Sequence, residues 1–216
     1  MQKTFKAVIW DFGGVFTSSP FDAFTRYETE NGLPVDFIRS VNAVNPLENA
    51  WALLERSEVD ASGFDAMFRA ESRALGHEVP GRDVLSLLSG ALRPRVVDAL
   101  KVCKAQGKVG CITNNAPIGK GASMTNDNDK AAQVAKVFAM FDHVIESSKL
   151  GIRKPDPRIY ALMCEALDVE PADCVYLDDL GINLKPARQM GMTTIKVLNE
   201  GQLLADLESV TGYALA

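Results

Sequence analysis

Apolar residues along this chain fall into two textures. Short unbroken blocks occur at Ala7, Val8, Ile9 and Trp10, and again at 109–113, 143–146, 174–177 and 193–197. Runs of this length, bounded by polar and turn-forming residues, predict strands buried on both faces. Between Pro20 and Leu88 the apolar positions instead recur at three and four: Phe21, Phe24, Tyr27; Phe37, Ile38, Val41; Leu47, Trp51, Leu54; Phe64, Met67, Phe68, Leu75. That spacing predicts helices only, the first opened by Ser19 as cap, Pro20 in the first turn and Asp22 at the third position. From Arg93 and Pro94 onward, helices predicted at 94–106, 129–138, 157–167, 184–190 and about 202–210 alternate with the four later blocks. Five short strands separated by helices predict an α/β fold with a parallel sheet covered on both faces. The core is expected at residues 1–16 and 89–216. The helical stretch 17–88, inserted after the first strand, is expected to sit over the sheet's carboxyl ends as a cap.

Composition narrows the functional classes. The chain has 216 residues, 47% hydrophobic and 24% charged, a balance typical of globular proteins. The start MQKTFKAVIW has too short an apolar run for a signal peptide, and no stretch approaches the ~20 apolar residues of a membrane span. A cytoplasmic protein without a membrane partner is therefore expected. Cys103, Cys111, Cys164 and Cys174 are scattered in apolar settings and read as buried thiols of a reducing compartment. His77 and His143, the only histidines, leave little material for a zinc site or a Ser-His-Asp triad. Residues 17–88 carry 12 acids against 6 arginines and no lysine, whereas the remainder has 16 acids and 17 bases. The net charge of −5 thus resides in the insertion, which would repel a nucleic acid.

Candidate chemistry gathers where strands end, the edge at which open α/β sheets bind ligands. Asp11 follows the first strand and leads into Phe12, Gly13 and Gly14; Thr113, Asn114 and Asn115 follow the second; Ser147 and Ser148 the third; Asp178 and Asp179 the fourth. Lys154, before the proline-started helix at Pro157, can reach the same edge. Three carboxylates in one place need a cation, a proton or good solvation. Magnesium, with its preference for hard oxygen ligands, answers that need. Asn115 and Ser148 read as structural. The NDND run at 126–129 lacks the spacing of a calcium loop and reads as a solvated turn.

The segments DFGGV, CITNN, SSKLGIRKPDP and VYLDDLGINLKPARQMGM resemble, in order and spacing, the four motifs of the haloacid dehalogenase-like hydrolases. The C-terminal part from His143 is especially similar to the amino-terminal phosphatase domains of soluble epoxide hydrolases and their bacterial relatives. This resemblance implies a Rossmann-like core with a helical cap. It implies Asp11 as a nucleophile that forms an aspartyl-phosphate, Thr113 and Asn114 in phosphate binding, and Lys154 as the cation that neutralises nucleophile and phosphoryl oxygens. It also implies a magnesium ion held by Asp11, the Gly13 carbonyl, Asp179 and Asp178, with Asn183 where many relatives place another acid. The reaction so implied is hydrolysis of a small phosphate monoester. Gly13 departs from the pattern, since phosphatases of this superfamily carry an aspartate there as general acid and base. Two alternatives therefore stand: a catalytically weak module that binds phosphorylated ligands, and a 2-haloacid dehalogenase-type hydrolase, which has an aromatic residue at that position and needs no metal. A phosphonoacetaldehyde hydrolase would need a cap lysine, and residues 17–88 have none. Substrate identity and oligomeric state are not encoded in these motifs.

Overall fold

A computed structural model describes residues 4–120 and 124–215. Five parallel strands, β1 (Ala7–Trp10), β2 (Lys108–Thr113), β3 (His143–Glu146), β4 (Cys174–Asp178) and β5 (Thr193–Lys196), lie in the order β3-β2-β1-β4-β5. β1 is central, paired with β2 and β4, and the Asp11 amide extends the ladder by donating to the Leu177 carbonyl at 2.8 Å. Parallel strands need crossovers, and helices supply them on both faces. On one face α6 (Pro94–Gln106), α7 (Asn128–Phe138) and α11 (Glu200–Thr211) bury Val96, Leu100, Val134, Leu203 and Leu207 against Val8, Trp10 and Leu177. On the other, α9 (Pro157–Leu167) and α10 (Gly181–Gln189) bury Ile159, Tyr160, Met163 and Leu184 against Ile9, Ile112 and Tyr176. Period-two alternation along each strand thus feeds two separate cores.

Between β1 and β2 the chain forms a helical insertion: α1 (Pro20–Glu30), α2 (Phe37–Ala43), α3 (Ala50–Glu55), α4 (Ala61–Ala74) and α5 (Gly81–Ser86), followed by α6 of the core. The expected start of α1 holds, with Ser19 accepting from the Phe21 amide. Phe24, Phe37, Ile38, Leu54, Phe64 and Phe68 make the insertion's own core, and Ala116, Ile118 and Met124 of the loop after β2 pack into it.

Several expectations are corrected in detail. Leu47 and Leu75 do not belong to buried stripes: Leu47 lies in a loop and is 66% exposed, and Leu75 is the exposed residue that ends α4. α10 begins at Gly181, not 184, because the Asp178 carboxylate accepts the Leu180 amide and starts the helix a turn earlier than apolar periodicity indicates. A one-turn helix, α8 (Ser147–Leu150), and a 3-10 turn at Pro171–Asp173 are too short to carry a periodic signal. The four cysteines are buried and form no disulfide among the described residues. Among the described residues, no helix is long and apolar enough to cross a membrane.

Candidate active site

The carboxyl ends of β1, β2 and β4 bring most of the expected residues together. Lys154 Nζ lies 2.7 Å from Asp11 Oδ1 and 2.8 Å from Asp178 Oδ2, with Lys154 and Asp178 fully buried and Asp11 7% exposed. Carboxylate oxygens of Asp11, Asp178 and Asp179 all lie within 4.8 Å of one another. The strand pleat divides them. Asp11 and Asp178 follow Ile9 and Tyr176 on the α9/α10 face, whereas Asp179 is two residues beyond Leu177, which faces α6, α7 and α11.

Asp178 is saturated with donors. Its Oδ1 accepts from the Leu180 amide at 2.8 Å and Asn183 Nδ2 at 3.1 Å; its Oδ2 accepts from Lys154, from Asn183 Nδ2 at 3.1 Å and from the Tyr176 hydroxyl. Tyr176 packs edge-on against Tyr160, whose own hydroxyl donates to the Asn183 carbonyl at 2.7 Å. Motif spacing does not single out Tyr176. The signal that could have found it is the pleat, since a tyrosine two residues before a strand-end carboxylate shares its face.

Asn114 does not touch the carboxylates. It clamps the Lys154 backbone instead: its Oδ1 accepts the Lys154 amide at 2.9 Å and its Nδ2 donates to the Lys154 carbonyl at 3.0 Å. Thr113 is buried at the end of β2, and its hydroxyl hydrogen-bonds none of the four charged side chains. Asn115 ties β2 to β3 through Glu146 and Ser148, in keeping with a structural part for Asn115 and Ser148. The turn after Asp11 is held by Arg93, which donates to the carbonyls of Gly14 at 2.7 Å and Val15 at 3.2 Å. A Cβ on Gly14, whose φ is +72°, would fall 2.2 Å from Asp179 Oδ2, so only glycine lets the turn close on that carboxylate. A Cβ on Gly13 would meet nothing within 4 Å.

Three carboxylates and one ammonium leave two uncompensated negative charges in a dry site, and the ionisation equilibria report the cost. Burial, followed by the charges of Asp178 and Asp179, raises the Asp11 carboxyl well above the usual carboxylate range despite Lys154. Burial and the neighbouring Asp178 push Asp179 up to about 6. Burial disfavours the charge on Lys154, but Asp11 and Asp178 outweigh it and hold the amine protonated above its ordinary value. A hard divalent cation fits this donor set, since it supplies the missing charge and takes oxygen ligands.

The haloacid dehalogenase-like hydrolase family matches residues 5–191. Over 96% of its length the chain is 32% identical to mouse bifunctional epoxide hydrolase 2, of which it spans only 39%. It is 31% identical to phosphatase MT3486 of Mycobacterium tuberculosis, with 94% of each chain covered. A solved haloacid dehalogenase-family enzyme of Bacteroides thetaiotaomicron, in complex with magnesium and inorganic phosphate, superimposes with a TM-score of 0.58 at 18% identity, over 90% of this chain and 94% of that one, a likeness of fold. With the family's match running through every element that builds the acidic cluster, the chain belongs to the haloacid dehalogenase-like hydrolases.

Proposed function

We propose that the protein is a magnesium-dependent phosphatase acting on a small phosphate monoester through an aspartyl-phosphate on Asp11. The observation that carries this reading is the cluster itself: Lys154 paired to Asp11 at the end of the central strand and to Asp178 at the end of β4, with Asp179 beside them. Asp11 Oδ2 attacks phosphorus while Oδ1 stays on Lys154, which also receives the charge that builds on the phosphoryl oxygens; the ester P–O bond breaks, the alcohol leaves with a proton from solvent, and water then hydrolyses the aspartyl-phosphate to inorganic phosphate and free Asp11. The Thr113 hydroxyl, free of the charged side chains, is available to a phosphoryl oxygen. Asn114 contributes by fixing the Lys154 loop. Asp11 and Asp179, with the Gly13 carbonyl, would hold magnesium, and when bound it supplies the positive charge that lets nucleophile and phosphate approach. Asp178, already accepting from four groups, serves to anchor Lys154. Residues 17–88 act as the cap that excludes water. A metal-free dehalogenase reading leaves the excess negative charge of this cluster unanswered.

Gly13 favours one second reading, a module that binds phosphorylated ligands and turns them over slowly, because general acid and base catalysis contributes roughly 10²- to 10⁴-fold. The test of the main reading is p-nitrophenyl phosphate turnover. Asp11→Asn and EDTA are each expected to abolish it, with magnesium restoring the EDTA-treated protein. Metal-independent turnover by Asp11→Asn would overturn the assignment.

A further inference from the structure

The residue before Lys154 reaches in the opposite direction, into the insertion. Arg153 Nε donates to Glu55 Oε2 at 2.6 Å and its Nη1 donates to the Pro46 carbonyl at 2.9 Å. Glu55 closes α3 and is buried, and Arg153 is its sole ion-pair partner among the described residues. Nearby, the Ser57 hydroxyl donates to the Ser148 carbonyl of α8 at 2.7 Å. The insertion is also joined to the core by the loop after β2, whose Ala116, Ile118 and Met124 pack into its apolar core, and by two paired linkers. Thr17 bridges Leu92, the Ser18 amide donates to the Ala91 carbonyl at 2.8 Å, and the Arg93 amide donates to the Phe16 carbonyl at 2.8 Å. The linkers run so close that a Cβ on Gly90 would fall 2.4 Å from the Ser18 carbonyl oxygen.

The linkers are covalent and sheet-like; the loop contact is apolar and non-directional, and the Arg153 contact is the directional, charged one. Asp11, Thr113 and Lys154 are all buried, so a phosphate ester needs some movement to reach them, and the insertion, hinged on its two linkers, is the element that can move as a unit. Paired linkers can bend without losing partners, whereas the Arg153–Glu55 contact must break. We propose that Arg153 and Glu55 form the latch that registers the insertion on the core, and that Arg153 is a positioning residue coupling closure to the placement of Lys154. The peptide unit between Arg153 and Lys154 is the physical link. Its carbonyl side carries the arm that grips the insertion, and its amide, on Lys154, is gripped by Asn114 of the core. A buried acid whose arginine has left is costly, so the open state is disfavoured until substrate or solvent replaces that partner.

The test measures distance and rate separately. Spin labels at Ser62→Cys in α4 and Glu165→Cys in α9, both exposed sites, report the separation of insertion and core, the native cysteines being buried. The wild-type background is expected to give one short distance. Glu55→Gln, nearly isosteric, and Arg153→Met, which keeps the aliphatic stem, are each expected to add a longer one. In the same variants kcat/KM for p-nitrophenyl phosphate is expected to fall about tenfold, carried by KM, the size of an ordinary coupling between sites. This kinetic half rests on the phosphatase reading; the distance half does not. Unchanged distances in both folded variants would overturn the latch while leaving the phosphatase intact. Lengthened distances with no turnover even in wild type would support the latch and overturn the phosphatase.

Discussion

Gly13 and Gly14 are adjacent and chemically identical, yet the structure gives them opposite constraints. Position 14 is left-handed and pressed against Asp179, so Gly14→Ala must displace that carboxylate or the turn. It is expected to cost about 1–2 kcal/mol by urea unfolding and to weaken magnesium binding by titration calorimetry. Wild-type affinity in that variant would show that Asp179 is not a ligand. Position 13 has a backbone that any residue adopts and open space where a side chain would go. Gly13→Asp is therefore expected to fold with wild-type stability. If the natural protein lacks a proton donor at the leaving oxygen, the variant should hydrolyse p-nitrophenyl phosphate little faster, since that leaving group scarcely needs an acid. Alkyl phosphates, whose leaving groups do, should gain about 10²-fold. Loss of activity on both substrates would mean that a substitute acid already occupies the space.

At the scale of elements, α9 is where local chemistry and site geometry meet. Asp156 caps it, accepting the Arg158 amide at 2.9 Å and pairing with the Arg158 guanidinium at 2.6 Å, and it stands two residues after Lys154. Asp156→Ala is expected to cost about 1 kcal/mol. The Arg158 hydrogen bond, with the Arg158 amide and charge adding to it, holds the Asp156 pKa below its ordinary 3.8. A lowered carboxylate pKa stabilises the fold above the unfolded value, and that contribution is lost as pH falls through the folded one. The gap between wild type and variant in thermal melts should thus be full at pH 6 and shrink as pH falls below 3.8; a gap constant with pH would rule out the charged cap. The strand-end carboxylates were legible in the sequence because buried strands leave strong local signals, whereas the Asp156 cap before Pro157 was not singled out there. The bounds of α6, α9 and β3 follow directly from apolar periodicity, and Asp11, Lys154, Asp178 and Asp179 converge as their positions after strands require. What periodicity does not encode is which side chain grips which. Asn114 turning to the Lys154 backbone, Tyr176 holding Asp178 and Arg153 reaching Glu55 are contacts 2 to 98 residues apart that depend on how the elements pack.

For the molecule as a whole, the acidic cluster couples folding to protonation and, under the proposed function, to metal binding. Without a cation, Asp11 and Asp179 ionise less readily in the folded protein than in the unfolded chain, Asp179 only near pH 6. Between their ordinary value and the raised one, the folded state binds more protons, so stability is greatest below that window and declines as pH rises through it. On the proposed reading, magnesium would bind the ionised carboxylates and oppose the decline, most strongly where protons no longer compete. At a hundredfold excess over its Kd it contributes about 2.7 kcal/mol. For a chain of 216 residues this corresponds to roughly 5–10 °C in Tm. The Tm difference between magnesium and EDTA is accordingly expected to be small at pH 5 and to grow as pH rises through 6, where Asp179 ionises. Asp179→Asn should remove both the magnesium gain and much of the decline in EDTA, since it takes away a charge that the fold buries at a cost. A magnesium effect equal at pH 5 and pH 7.5, or one that survives Asp179→Asn, would mean that the ion binds elsewhere.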